Sequence, residues 1–383
     1  MQQEIRKMRF AEVYSRWTER RLTQEQAAEI LGVSDRTFRR YIDRYDEWGL
    51  EGLSDKRLTQ ASYRRAPVDE VTTVARQYEK YRGWSVRHFY GKYCESKGTR
   101  SYTWVKNSLQ SKGVVSKAPK RGVHRKRRER APLPGMMLHQ DGSRHEWVAG
   151  KMWDLIVTMD DATNEHYSMF FVEEEGTTSS FQGVRDVVVH KGLFSSLYTD
   201  RGSHYWLTPK EGGKVSKTQL TQFGRAMKQF GIQMIAAYSP QARGRSERAF
   251  QTHQDRLVKE LALHGITDMQ EANRYLAHVY MPAFNAQFKK PALEEGSAFV
   301  PWAGGDLDDI LCEHRERTVS ADNCVRFEGL TLQIPANHYR CHYVRVNVQV
   351  HRYLDGSLAI FHGPRKLADY DSRGRLKKES KAA

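Results

Sequence analysis

The spacing of apolar side chains changes along the chain, and each change marks a new kind of structure. Between Leu22 and Ile42 the apolar positions Ala27, Ala28, Ile30, Leu31, Phe38, Tyr41 and Ile42 recur every three to four residues, the period of helices with one buried face. Thr23 and Ser34 stand where two helices need caps and Gly32 where the chain must turn between them. The pattern predicts a helix-turn-helix whose second helix has an apolar back and a front of Asp35, Arg36, Arg39 and Arg40. After Pro67 the same period predicts helices over about 68–81, 85–95 and 101–110. In these, Trp84, Val86, Phe89, Tyr90 and Tyr93 read as core, and Tyr102, Thr103, Lys106 and Asn107 as groove-facing positions.

From Pro134 onward strands take over, over 136–141, 153–159 and 166–172, the first ending on Asp141. A helix over 179–189, a strand over 193–198, a helix over 216–230, a strand over 232–236 and a long helix carrying Glu247 complete the order βββαβαβα, which predicts an RNase H-like fold. A further helix runs from 268 to about 288, interrupted near Pro282. Beyond a Gly/Pro-rich stretch, alternation of period two in 324–327, 331–334, 343–350 and 358–361, with Asp355-Gly356 as a hairpin turn, predicts a small β-barrel.

The expected chain is therefore multidomain α+β. It comprises a helix-turn-helix domain (1–60), a second helical DNA-binding domain (61–114), a basic linker (115–133), an RNase H-like α/β catalytic domain (134–290), a linker (291–306), a small β-barrel (307–370) and a basic tail (371–383).

Charge sharpens this division. Of the net +16, residues 1–130 hold 31 basic against 16 acidic residues, and the remainder 31 against 30. The first third is thus built for an anionic partner, nucleic acid foremost. Residues 117–130 carry eight Lys or Arg, among them Arg125, Lys126, Arg127 and Arg128, and one acid; such a self-repelling block predicts an extended, phosphate-tracking tether. The four cysteines, Cys94, Cys312, Cys324 and Cys341, form no C-x-x-C pair and read as reduced and structural. No apolar run approaches the roughly 20 residues of a membrane span, which places the protein in the cytoplasm, on the nucleoid.

Three acids stand out on the predicted elements. Asp141 ends a strand in His139-Gln140-Asp141, Asp200 ends another in Tyr198-Thr199-Asp200-Arg201-Gly202-Ser203, and Glu247 opens a helix in Ser239-Pro240-Gln241-Ala242-Arg243-Gly244-Arg245-Ser246-Glu247-Arg248. The competing pair Asp160-Asp161 reads as a turn or cap. Phosphodiester chemistry uses two divalent ions roughly 3.5–4 Å apart. Mg²⁺ takes hard oxygen ligands, so Asp141 bridging two ions, with Asp200 and Glu247 on one each, makes a sufficient set. Arg243, Arg245 and Arg248 beside Glu247 are placed to grip phosphates around the scissile bond.

These three motifs, in this order, resemble those of the DDE transposases of the retroviral-integrase superfamily. With its helix-turn-helix front, the whole chain resembles a bacterial insertion-sequence transposase of the ISNCY type. The stretch between Asp200 and Glu247 is longer than is usual in retroviral integrases, and their His/Cys zinc module is absent. The resemblance implies two Mg²⁺ ions, with Mn²⁺ able to substitute, and double-stranded DNA partners in the form of terminal inverted repeats and target. It also implies an assembly of at least two copies, cleavage at the element ends and joining of the 3′-OH ends to target; the need for an accessory ATPase stays open. Two other readings stand beside it: a non-catalytic helix-turn-helix regulator derived from a transposase, and an RNase H-like nuclease without strand transfer.

Overall fold

The computed structural model describes residues 2–54, 66–117, 129–209, 213–216, 218–238, 244–337 and 340–377. They divide into two units, one from Met1–Arg82 and Lys97–Lys117, the other from Gly83–Ser96 and Ala118–Ala383.

The first unit is helical. Helices α1 (Gln2–Thr18), α2 (Gln24–Leu31) and α3 (Asp35–Trp48) close over Phe10, Val13, Ala27, Ala28 and Phe38. The caps lie where the sequence puts them. Thr23 and Gln26 form a reciprocal capping box, Gly32 turns at φ +66°, and the Ser34 hydroxyl accepts the N–H of Thr37 at 3.3 Å. Helices α4 (Val68–Glu79) and α6 (Tyr102–Ser111) are joined by Arg100, which donates to both carboxylate oxygens of Glu70 at 2.6 Å.

The second unit opens with α5 (Val86–Glu95) and is built on a five-stranded sheet of β1 (Leu138–Val148), β2 (Lys151–Asp160), β3 (His166–Val172), β4 (Ser196–Thr199) and β5 (Gln233–Ala236). Their order is β3-β2-β1-β4-β5; β1, β2 and β3 are antiparallel, and β4 and β5 run parallel to β1. The expected strand and helix order of an RNase H-like core is present. Helices α7 (Thr177–His190) and α8 (Gln222–Phe230) cover one face through Phe181, Val184, Val187, Phe223 and Met227. Helix α9 (Gly244–Leu263), α10 (Met269–Tyr275), a π-helical turn (Leu276–Tyr280) and α11 (Met281–Phe288) cover the other through Phe250, Leu257, Leu261, Leu276 and Phe284. The interruption expected near Pro282 is this π turn: a proline lacks the N–H of a regular helix and crowds the preceding turn, which the wider winding relieves.

The C-terminal strands depart from expectation. β6 (Glu313–Thr318), β9 (Asn347–Arg352), β10 (Leu358–His362) and β11 (Arg365–Tyr370) form an open four-stranded sheet, while β7 (Cys324–Phe327) and β8 (Leu330–Gln333) form a separate hairpin. The two share one core, with Val325, Leu332, Val350, Ile360 and Tyr370 among its residues. Among the described residues no ladder joins them into the closed barrel that the alternation predicts. One edge of the larger sheet is instead occupied by a helix: the Gln222 side chain on α8 donates to the His314 carbonyl and accepts its N–H, both at 2.9 Å. No helix among the described residues is long and apolar enough to cross a membrane.

Candidate active site

The strand register decides which way the acids point. Residues directly opposite in an antiparallel pair share a face of the sheet. His139, Asp141 and Ser143 lie opposite Met159, Val157 and Leu155, which pack with Phe250 and Leu257 of α9. The Asp141 side chain therefore leaves the sheet toward α9, and it is buried. Across the parallel pair, His139 is level with Tyr198, their rings 5.1 Å apart. Asp141 follows His139 by two residues on β1, and Asp200 follows Tyr198 by two residues where β4 ends. Asp200 lies just past β4 and folds back so that its Oδ1 accepts the Gly202 N–H at 2.8 Å.

Helix α9 runs alongside β1 in the same sense, held at two points. Near its start Arg245 pairs with Asp161, whose carboxylate also takes the Nε2 of His139 at 2.7 Å. Further on, Gln254 donates to the Ser143 hydroxyl at 3.1 Å. These ties bracket Glu247 on the helix and Asp141 on the strand. Glu247 is exposed in the first turn of α9, on the side of the sheet toward which Asp141 points.

On the opposite face Gln140 is buried, its amide donating to Thr158 Oγ1 and the Ser180 carbonyl at 3.1 Å, its oxygen accepting from the Tyr205 hydroxyl at 3.2 Å. Burial pushes the Tyr205 phenol well up, helped by the charges of Glu175, Asp141 and Asp200. The Glu175 carboxylate occupies the space that a side chain on Gly142 would fill, with His204 Nε2 3.5 Å away. Sequence reasoning missed Glu175, His204 and Asp161 as neighbours of the site. The absent side chain at Gly142 was the available signal for the first; nothing local points to the others.

The remaining expected residues fall into three groups. Arg36, Arg39 and Arg40 line the exposed side of α3, Tyr102 and Lys106 are partly exposed on α6, and Arg248 is exposed on α9. Arg245, expected to face phosphate, turns inward to Asp161, with its side chain 19% exposed. Arg125, Lys126, Arg127, Arg128 and Arg243 lie outside the described residues.

Carboxylate oxygens of Asp141, Asp200 and Glu247 are the donor type that Mg²⁺ takes. Among the described residues, however, the set of three ligand atoms that all lie within 4.8 Å of one another is a different one: Cys312, His314 and His351. Cys312 and His314 are two residues apart, and strand pairing puts His351 opposite His314, a grouping that the cysteine spacings did not suggest. Its geometry does not suit a metal. The two imidazoles are stacked 3.7 Å apart and only 10° from parallel, whereas a ligated ion must lie in the plane of each ring. Arg225, whose guanidinium donates to the Ile310 and Cys312 carbonyls, adds a positive charge beside them. The cluster reads as packing between α8 and β6; burial pushes the Cys312 thiol up to about 12, the reverse of an activated thiolate.

Comparison with known proteins completes the picture. Residues 13–59 match the family described as a helix-turn-helix domain. The putative transposase y4bF of Sinorhizobium fredii (strain NBRC 101917 / NGR234) is 30% identical over 360 residues, spanning 91% of this chain and 77% of that protein. The transposase for insertion sequence IS1202 of Streptococcus pneumoniae is 24% identical over 347 residues, spanning 80% and 73%. Among solved structures, a chain of the simian T-cell lymphotropic virus intasome in complex with PP2A regulatory subunit B56 gamma aligns with 80% of this chain and 98% of its own length at 15% identity and a TM-score of 0.35. The HTLV-2 integrase catalytic core domain in complex with magnesium aligns with 38% and 87%, at 15% identity and a TM-score of 0.30; overlaps this loose do not bear on the assignment. Sequence identity of 30% along nearly the whole length, behind a helix-turn-helix, shows the family: the chain belongs to the transposases.

Proposed function

We propose that this transposase cuts the ends of a mobile element and joins the 3′-OH ends to target DNA, with Asp141, Asp200 and Glu247 as its catalytic acids. The observation that carries the reading is the register: His139, two residues before Asp141, pairs with Tyr198, two residues before Asp200, on adjacent parallel strands, and the helix bearing Glu247 packs on the face to which Asp141 points. The three carboxylates would hold two Mg²⁺ ions, for which Mn²⁺ can substitute, supplying activation of the attacking oxygen and stabilisation of the leaving one. The protein's own contribution is placement. A carboxylate fixed on a strand is more precise than one on a loop, and Asp141 is held between Gln140, whose amide is fully bonded, and Gly142, where the chain admits Glu175.

The exposed arginines Arg36, Arg39 and Arg40 on α3 would read the terminal inverted repeat in the major groove. Tyr102 and Lys106, together with the basic stretch containing Arg125, Lys126, Arg127 and Arg128, would add phosphate contacts that steepen the salt dependence of binding. Arg243 and Arg248 remain the candidates for gripping phosphates beside the scissile bond. Joining two ends to one target calls for an assembly of at least two copies.

The test is single-turnover cleavage and strand transfer on duplexes carrying the element's terminal repeat, with Mg²⁺. Wild-type protein should give both nicked ends and joined molecules. Asp141→Asn, Asp200→Asn and Glu247→Gln should each lower the rate on the order of 10³-fold or more while still binding the repeat. Joined products from Asp141→Asn would refute the assignment; nicks without joined products from wild type would make the protein a nuclease, and binding without cleavage a regulator.

A further inference from the structure

Asp161, the first residue after β2, is 0% exposed. An isolated buried carboxylate costs several kcal/mol to desolvate, so its partners carry the explanation. Its Oδ1 meets His139 Nε2 at 2.7 Å and the Arg245 guanidinium, and its Oδ2 accepts the Ala131 N–H at 2.8 Å. Burial pushes its pKa up, but the His139 hydrogen bond, the Ala131 N–H and the charges of His139 and Arg245 outweigh that and hold it well below the usual carboxylate range.

The partners are not scattered. His139 precedes Asp141 by two residues on the same face of β1, and its ring meets that of Tyr198, which precedes Asp200 by two residues on β4. Arg245 precedes Glu247 by two residues in the first turn of α9. One carboxylate is thus connected, directly or through one ring contact, to the residue two places before each of the three acids. The rest of α9 does not depend on it, since Phe250, Leu257 and Leu261 pack in the core and Gln254 bonds Ser143. Only the first turn, which carries Glu247, is held by the Asp161–Arg245 pair.

We infer that Asp161 is a positioning residue: it locks the first turn of α9 to β1 and so sets Glu247 against Asp141. The inference rests on the reading of the three acids as the catalytic set. Arg245 is then a strut of the site rather than a phosphate ligand, which separates it from its neighbour Arg248.

Asp161→Asn keeps the size of the side chain and one acceptor; Arg245→Gln removes the same pair from the helix side. Each should slow saturating single-turnover end cleavage by about 10- to 100-fold, the scale of a small misplacement of a reacting group, with affinity for terminal-repeat DNA kept within about threefold. The double variant should be no slower than the slower single one, because both remove one interaction, and Arg245→Lys should recover part of the rate. Wild-type rate in Asp161→Asn, a loss confined to DNA affinity, or additive losses in the double variant would each overturn the inference. Amide hydrogen exchange across residues 244–252 gives a readout that needs no activity: exchange should quicken in Asp161→Asn and Arg245→Gln while peptides from the rest of α9 stay protected, and wild-type protection in both variants would sink the proposal. Inactive wild-type protein, or active Asp141→Asn, would count against the catalytic reading instead.

Discussion

Gln140 and Gly183 show how tightly the residues around Asp141 are fitted. A side chain on Gly183 of α7 would collide with the Gln140 amide nitrogen, which is already bonded to Thr158 and Ser180. Gly183→Ala must therefore break a buried hydrogen bond or push α7 off the sheet. The expected loss is about 1–3 kcal/mol, measured as a lower urea midpoint, with slower end cleavage because Gln140 adjoins Asp141; an unchanged midpoint would mean the amide relaxes freely. At this scale the sequence was legible where chemistry is local. The motifs single out Asp141, Asp200 and Glu247 as the acids proposed above, and the turn reading of Asp160 holds, since its carboxylate accepts the Thr163 N–H at 2.8 Å and the Thr163 hydroxyl at 2.9 Å. Asp161 stayed hidden because its partner Arg245 is 84 residues away, a distance over which no pattern in the chain announces a contact.

At the scale of elements, the strands β1, β2 and β3 and the helix α9 follow from apolar period because each presents a face to one core. The strands β6 and β11 do not. β6 reads Glu-His-Arg-Glu-Arg-Thr and four of its six residues are exposed, so its membership of a sheet comes from pairing with β9 rather than from its own pattern. Helix α5 is attached to α9 in a way that can be tested. His88 Nε2 lies 2.6 Å from one Glu260 oxygen, and Lys92 lies 3.6 Å from the other. Burial pushes the Glu260 carboxyl up, but the His88 hydrogen bond and the Lys92 charge outweigh it and hold the pKa below the ordinary 4.5. A depressed carboxylate stabilises the fold above its unfolded pKa and loses that contribution as pH falls through the folded one. Glu260→Gln should therefore lower the melting temperature at pH 7, and the gap from wild type should close below about pH 4.5; a gap that widened in acid would contradict the assignment.

For the whole molecule, four buried histidines add to the acid sensitivity. Burial lowers His166 and His314 to about 4, His351 to about 3, and His253 well below the ordinary 6.5. Above pH 6.5 they are neutral whether the chain is folded or not. Below it the unfolded chain takes up protons that the folded one refuses, so stability drains away as pH falls, at up to about 1.4 kcal/mol per pH unit for each histidine. The melting temperature should drop steeply between pH 6.5 and 4, and replacing the stacked His351 by Phe should flatten that slope; a melting temperature independent of pH over this range would refute it.

Among the described residues, the side-chain amide of Gln222 against β6 is one of three such devices in the second unit. Asn273 bonds both the N–H and the carbonyl of Phe171, and Asn285 those of His166, along β3, the outer strand of the five-stranded sheet. Each amide imitates the peptide group of a neighbouring strand. An outer strand with bare peptide groups is a template on which another chain can add, and the assembly of copies proposed above would expose the protein to that hazard at high local concentration. The two asparagine amides occupy peptide groups on which a further strand could pair: Asn273→Ala combined with Asn285→Ala should leave the protein folded yet prone to concentration-dependent aggregation, visible in light scattering well below the melting temperature.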